Sequence, residues 1–274
     1  MKSYKDFFLI TDMDGTLANS EHEVSEKNKA AIDHFIKQGG KFAIATGRTQ
    51  HNVGPYMQDL TVNAPCIFYN GGALFDWNKQ KFIKTAPVQG ENLVQFIRHC
   101  IQVFPNMCIE IFTEEELYIV TDPKNVDEHM EREKQAFVYA ELDEILDKEW
   151  IKILLCDTNE NLLTVREVLV GFQLDKAMNY FFSAPIYLEL VGKSISKGSM
   201  LGEILKMEEY KNKVVVATGD FQNDIEMIKL AHLGVAPANA QPEVKKVADI
   251  IGVSNDEDLM HDIIYRIMPT FGLK

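Results

Sequence analysis

Apolar and polar positions come in blocks along the chain, and the blocks read as strand, helix, strand. Phe7-Phe8-Leu9-Ile10 is an uninterrupted apolar run, as expected of a strand buried on both faces. Ser25 then has the chemistry of a helix N-cap, Ile32, Phe35 and Ile36 recur on one helical face, and Gly39 closes the segment. Phe42-Ala43-Ile44-Ala45 and Cys66-Ile67-Phe68-Tyr69 repeat the strand pattern. From about residue 190 the alternation resumes with a helix carrying Met200, Leu201, Ile204 and Leu205, followed by the apolar run 214–218. A helix over 223–231 with Ile225, Ile228 and Leu230 comes next, then short strands at Gly234-Val235-Ala236 and Ile250-Ile251-Gly252-Val253 and a final helix. This alternation predicts an α/β fold with a doubly wound parallel sheet, in which reactive groups belong at the carboxyl ends of the strands.

The middle of the chain has another rhythm. Val94, Ile97, Ile101 and Phe104 predict an amphipathic helix, 107–112 and 117–120 paired strands, 151–156 a further strand, and Leu162, Val165 and Leu169 a second helix. The run 186–190 is expected to lead back to the core. Glu114-Glu115-Glu116 and Asp127-Glu128 read as solvated turn and helix surface. The organisation expected is a catalytic core formed by 1–83 and 189–274, with an α/β domain inserted over 84–188.

At 274 residues the chain is long enough for both. Its net charge of −13 argues against a nucleic-acid partner, whose binding depends on cationic contacts to phosphate. Cys66, Cys100, Cys108 and Cys156 are widely spaced and lack a C-x-x-C pair, so buried free thiols are expected rather than a metal site. The N-terminus lacks the form of a signal peptide, and no segment approaches the ~20 apolar residues of a membrane span. A cytoplasmic monomer or small homo-oligomer without a membrane partner is expected.

Candidate chemistry sits at the joints between blocks. Asp12-Met13-Asp14-Gly15-Thr16-Leu17 directly follows the first strand, and Thr46-Gly47-Arg48 follows the second. Lys197-Gly198 precedes a helix, a place that favours anions, and Gly219-Asp220-Phe221-Gln222-Asn223-Asp224 follows the run 214–218. Each has a plain alternative: a turn for the acids and glycines, an N-cap for Thr46, Asn223 or Asp224, a solvated lysine for Lys197. Their joint occurrence in this order outweighs those alternatives.

The set resembles the haloacid dehalogenase superfamily phosphatases, specifically the Cof-type or type IIB group with an inserted α/β cap. D-M-D-G-T-L at 12–17, T-G-R at 46–48, S-K-G at 196–198 and G-D-F-Q-N-D at 219–224 match the four family motifs. Asn70-Gly71-Gly72 resembles the family's N-G-[AG] element, and Met227 fits the extension of the last motif. The stretch 234–240 departs from the family's G-V-A-M-G-N-A, with Pro237 and Ala238 in place of Met and Gly. The resemblance implies a cap, placed after the third core strand, that closes over the site and selects the substrate.

An alkyl phosphate is a dianion with a poor leaving group, so a catalyst must offset charge, supply a nucleophile and protonate the departing oxygen. Asp12 and Asp14 can share that work if their environments separate their protonation, with Asp12 as nucleophile and Asp14 as general acid and then base. The resemblance implies the same roles. Asp12, Asp14, Asp220 and Asp224 gathered together would repel by roughly 3 kcal/mol per pair at about 5 Å and an effective dielectric of about 20, which calls for a counter-charge. Mg2+ fits, since it takes oxygen ligands and shares its shell with phosphate. Asp12 and Asp220 are the expected carboxylate ligands, Asp14 by resemblance a ligand through its backbone carbonyl, and Asp224 a ligand or a neighbour of the ligands. Lys197, Thr46 with Gly47, and Asn223 are expected at the phosphate, and Arg48 either at the substrate or on an acid near the cap. The function expected is Mg2+-dependent hydrolysis of small phosphorylated metabolites. A phosphomutase or phosphotransferase on the same core and a non-catalytic phosphometabolite-binding protein are the alternatives.

Overall fold

The computed structural model describes residues 3–88, 90–126 and 136–272, and the expected surface pair Asp127-Glu128 lies outside the described residues. In chain order the strands are β1 (Phe7–Thr11), β2 (Lys41–Ile44), β3 (Cys66–Phe68), β4 (Ala73–Asp76), β5 (Lys81–Thr85), β6 (Cys108–Phe112) and β7 (Leu117–Ile119). They continue as β8 (Val138–Tyr139), β9 (Lys152–Cys156), β10 (Met178–Ala184), β11 (Tyr187–Gly192), β12 (Val214–Thr218), β13 (Leu233–Ala236) and β14 (Ile250–Ile251). The chain divides into two units, one made of Met1–Lys84 with Ser196–Lys274 and the other of Thr85–Ile195.

The first unit is built on a parallel sheet of order β14-β13-β12-β1-β2. Every residue of β1 is buried, because a central parallel strand is covered on both faces. β3 runs beside the end of β2 through the parallel bridge between Ala45 and Ile67, then turns antiparallel into β4. The strand order reverses direction at β1, so the crevice at the carboxyl ends of β1 and β12 is where an α/β sheet of this kind binds ligands. Helix Glu26–Lys37 lines the sheet with Ala31, Ile32 and Phe35, while Ile36 is half-buried. The Ser25 hydroxyl accepts from the Asn28 backbone N–H at 3.1 Å and so caps this helix. Replacing Ser25 with Ala is expected to lower stability by about 1 kcal/mol in urea unfolding without altering the sheet.

Helix Lys197–Lys206 buries Met200, Leu201 and Ile204, and packs against helix Ile225–Leu230. The latter starts after a single turn at Gln222–Asp224 and buries Met227 and Ile228, leaving Leu230 exposed, unlike the expected apolar stripe. The last strand is limited to β14, shorter than the expected 250–253.

The second unit has a sheet of order β10-β11-β9-β6-β7-β8. Helix Glu91–Val103 packs on it through Leu93, Phe96, Ile97 and Cys100, and helix Asn159–Gly171 through Leu162, Val165 and Leu169. Val94 and Ile101 are only partly buried, so the apolar face is rotated from the expected one. Glu114-Glu115-Glu116 is an exposed turn. The reading of 186–190 as a return to the core is corrected: β11 pairs antiparallel with both β9 and β10 and belongs to the inserted sheet. The second division between the units therefore falls at 195/196 rather than at 188/189. Cys66, Cys100, Cys108 and Cys156 are all buried free thiols, and burial pushes the pKa values of Cys66 and Cys100 up to about 12. No helix of the described residues is long and apolar enough to cross a membrane.

Candidate active site

The backbone N–H of Asp12 donates to the Thr218 carbonyl at 2.9 Å, extending the β1–β12 ladder by one step. Asp12 thus leaves the sheet at the strand-order reversal, and its residue is only 6% exposed. The next turn bends sharply at Gly15, whose φ of +74° suits a residue without a Cβ. A Cβ there would stand 2.7 Å from Asp220 Oδ2, so glycine is also what lets the Asp220 carboxylate approach. Thr16 Oγ1 donates to Asp220 Oδ1 at 3.0 Å, tying the loop after β1 to the loop after β12.

Lys197 comes from the helix whose N-cap is Ser196; the Ser196 hydroxyl accepts from the Ser199 N–H at 2.9 Å. The Lys197 side chain is 1% exposed, with Nζ 2.5 Å from Asp12 Oδ1 and 2.7 Å from Asp224 Oδ1. It is no solvated lysine. Burial works against its charge, but the Asp12 and Asp224 carboxylates outweigh that cost and hold its pKa above the ordinary lysine value. Asp224 also caps: its Oδ2 accepts from the backbone N–H groups of Asp220 and Phe221, both at 3.1 Å. One carboxylate therefore combines the closing of the Gln222–Asp224 turn with an ion pair to the lysine, but as the N-cap of helix Ile225–Leu230 it makes no side-chain capping bond.

Arg48 forks onto Asp14, with Nε 2.8 Å from Oδ2 and Nη2 2.8 Å from Oδ1. The guanidinium carbon lies 4.8 Å from the centroid of the Tyr56 ring. The acid that Arg48 meets thus lies within the motif after β1. Thr46 stands at the end of β2, 1% exposed, and its hydroxyl accepts from the Arg48 N–H at 3.2 Å; it caps a local turn and not a helix. Gly47 lies against Asn70, and Asn223 donates through Nδ2 to Asn70 Oδ1 at 2.9 Å.

Carboxylate oxygens of Asp12, Asp220 and Asp224 lie within 4.8 Å of one another. Burial pushes Asp12 well above the ordinary aspartate range; Lys197 opposes this, while Asp224, Asp220 and Asp14 add to it. Asp220 is raised by burial first and by Asp224 next, against the Thr16 hydrogen bond and Lys197. A single ammonium does not satisfy this charge, and an all-oxygen donor set suits a hard divalent cation. Asp12 and Asp220 have the better claim as ligands, because Asp224 already receives hydrogens on both oxygens.

Two supporting residues have no role assigned by the sequence. Thr16 lies inside the first motif, where its letter is visible but its partner is not. Asn239 donates to the Gly15 carbonyl at 2.7 Å and accepts from the Asn255 N–H at 3.0 Å. This anchor survives the departure at Pro237 and Ala238: Ala238 does not adopt the left-handed backbone that favours glycine, and Pro237 closes the turn by accepting from the Ala240 N–H at 2.9 Å.

A family model described as haloacid dehalogenase-like hydrolase matches residues 9–264. The chain is 29% identical to "Endoribonuclease YBEY, chloroplastic" of Arabidopsis thaliana over an alignment of 274 positions that covers 94% of this chain and 46% of that protein. It therefore spans about half the length of this relative. It is also 29% identical to "5-amino-6-(5-phospho-D-ribitylamino)uracil phosphatase YcsE" of Bacillus subtilis, with 91% of each chain covered. The crystal structure of a haloacid dehalogenase-like hydrolase from Bacteroides thetaiotaomicron superposes with a TM-score of 0.81 at 29% identity, covering 95% of this chain and 99% of that one.

Proposed function

Because the chain belongs to the haloacid dehalogenase-like hydrolases, we propose that it is a Mg2+-dependent phosphatase of small phosphate monoesters acting through a phosphoaspartate at Asp12. The observation that carries this reading is the convergence of four remote segments: Lys197 joins Asp12 to Asp224, Thr16 joins the first loop to Asp220, and Arg48 holds Asp14. The B. subtilis relative is named for a phosphorylated small metabolite, and the same broad substrate class is proposed here. An RNA substrate is disfavoured, since the net charge is −13 and the match covers 46% of the plant relative. Choice among esters is assigned to the inserted unit, as the resemblance implies.

In the first step an Asp12 carboxylate oxygen attacks phosphorus in line, and the bond from phosphorus to the ester oxygen breaks. Asp14 passes a proton to that leaving oxygen, releasing the alcohol. In the second step Asp14 takes a proton from water as the water attacks the phosphoaspartate. Inorganic phosphate departs, and Asp12 is regenerated as a carboxylate. Lys197 stabilises charge on Asp12 and the transferred group, while the Thr46 hydroxyl and the Asn223 amide hydrogen-bond to phosphoryl oxygens. Arg48 positions Asp14; for the proton to move, one arm of its fork has to release a carboxylate oxygen. Mg2+, held by Asp12, Asp220 and the Asp14 carbonyl, would supply charge neutralisation and a Lewis-acid contact.

The test is a screen of phosphorylated metabolites for released inorganic phosphate, with Mg2+ and with EDTA. Phosphate release that EDTA stops is expected. A phosphorylated acceptor formed without free phosphate would instead establish a transferase, and no reaction with any ester would overturn the proposal. The raised Asp12 and Asp220 carboxyls add a pH dependence. A cation must displace the protons they hold, so its affinity should rise as pH climbs through the raised values and fall in acid. The cation-free fold has the opposite slope: it binds the extra protons, so these groups cost it stability as pH rises above the ordinary aspartate range of about 4. Added Mg2+ is expected to raise the melting temperature more at neutral pH than near pH 5.

A further inference from the structure

Tyr69, Asn70 and Gly71 follow β3 with φ values of +54°, +55° and +104°, three successive residues in the left-handed region. Such backbone is unfavourable for residues other than glycine, and it persists where surrounding contacts over-determine it. Here the contacts run to the phosphate-site segments. The Tyr69 N–H donates to the Arg48 carbonyl at 3.1 Å and the Asn70 N–H to the Thr46 carbonyl at 3.0 Å, so the turn is clipped to the T-G-R loop on either side of Gly47. A Cβ on Gly71 would lie 2.3 Å from the Ser196 carbonyl oxygen, so the turn also seats the residue before Lys197. The Asn70 side chain reaches the last motif through Asn223.

We propose that Asn70 is a positioning residue for phosphoryl transfer, its side-chain carbonyl fixing which edge of the Asn223 amide faces the phosphate. The inference rests on the reading of Asn223 as a phosphate donor. Asn223 Oδ1 is buried and has no hydrogen-bond donor among the described residues, so the amide gains nothing internally at that atom from its present orientation. Flipping it would set Asn223 Oδ1 against Asn70 Oδ1, oxygen to oxygen. The acceptor on Asn70 therefore holds the amide with its N–H2 in register, leaving the second N–H for a phosphoryl oxygen. Asn is suited to the place twice over, since it tolerates a left-handed backbone and supplies the acceptor.

Affinity for inorganic phosphate in the presence of Mg2+ tests this without requiring turnover. In the wild type, Asn223→Ala is expected to weaken phosphate binding about tenfold, the scale of one lost charge-assisted hydrogen bond. The same change should also cost about tenfold in an Asn70→Asp background, which keeps the acceptor and the left-handed backbone. In an Asn70→Gly background, which keeps the backbone but removes the acceptor, it should cost less than about twofold, because the amide is already unheld. An unchanged tenfold effect there would overturn the proposal, as a purely structural Asn70 predicts. A measurement on the wild type alone guards against a misfolded variant: the Asn223 side-chain amide resonances should shift when phosphate is added. Their indifference to phosphate, in protein that does bind it, would also overturn the proposal. Protein that binds no phosphate at all would overturn the functional reading and this inference with it, whereas binding with additive variants would remove the inference alone.

Discussion

Asp12→Asn is expected to lower phosphate release by about four orders of magnitude or more while leaving the fold in place, because an amide keeps the shape of the carboxylate but is a far weaker nucleophile. The site makes the substitution unusually clean. Asp12 is buried, its backbone continues the β1–β12 ladder, and an Asn Oδ1 can still accept from Lys197. One negative charge also leaves a crowded acidic cluster, so the cation-free variant should melt no lower than the wild type at neutral pH. Burst-phase kinetics and acid-quench trapping of phosphoprotein complete the test: label should appear on the wild type and be missing from the variant. Turnover within about tenfold of wild type would remove Asp12 as the nucleophile.

Lys197→Met should remove activity and stability together. The methionine fills similar space, but it leaves Asp12 and Asp224 buried beside each other without the ammonium that now lies 2.5 Å and 2.7 Å from them. Breaking a buried ion pair on one side costs about 3–5 kcal/mol, much more than loss of an exposed lysine would. Pairing the change with Asp224→Asn should recover part of that stability, since one of the stranded charges is then neutral. Activity should remain lost in the double variant, because no lysine ammonium stabilises the transferred phosphoryl group. Chemical unfolding separates the two effects, and a single variant as stable as the wild type would show that the pair is not an essential counter-charge.

The sequence displays the strands that bear the motifs because parallel strands buried on both faces are short continuous apolar runs, as in β1 and β12. It conceals β10, whose residues are mostly half-buried and follow no simple period. It also leaves the partners of β11 ambiguous, since an apolar run looks alike beside an inserted sheet or a core sheet. Side-chain destinations are harder still. The letters mark Asp14 and Arg48 as functional, but 34 positions separate them, and only the folded loops bring the fork together. Asp224 reads equally as cap or as charge partner; its two oxygens divide those duties. Asn70 is visible as part of an N-G-G element, yet its left-handed turn and its grip on Asn223 depend on contacts that no local pattern encodes.

Since the unit carrying Asp12 is assembled from 1–84 and 196–274, β1 has to wait for β12 before its second edge is paired. During synthesis on the ribosome, Thr85–Ile195 emerges whole and can condense first, while β1 and β2 remain a half-finished template with an open edge. A stalled or truncated product ending before Val214 would expose that edge next to Phe7 and Phe8. Quality control by chaperones should therefore act most strongly on such fragments, and their natural fate is aggregation or proteolysis rather than partial catalysis.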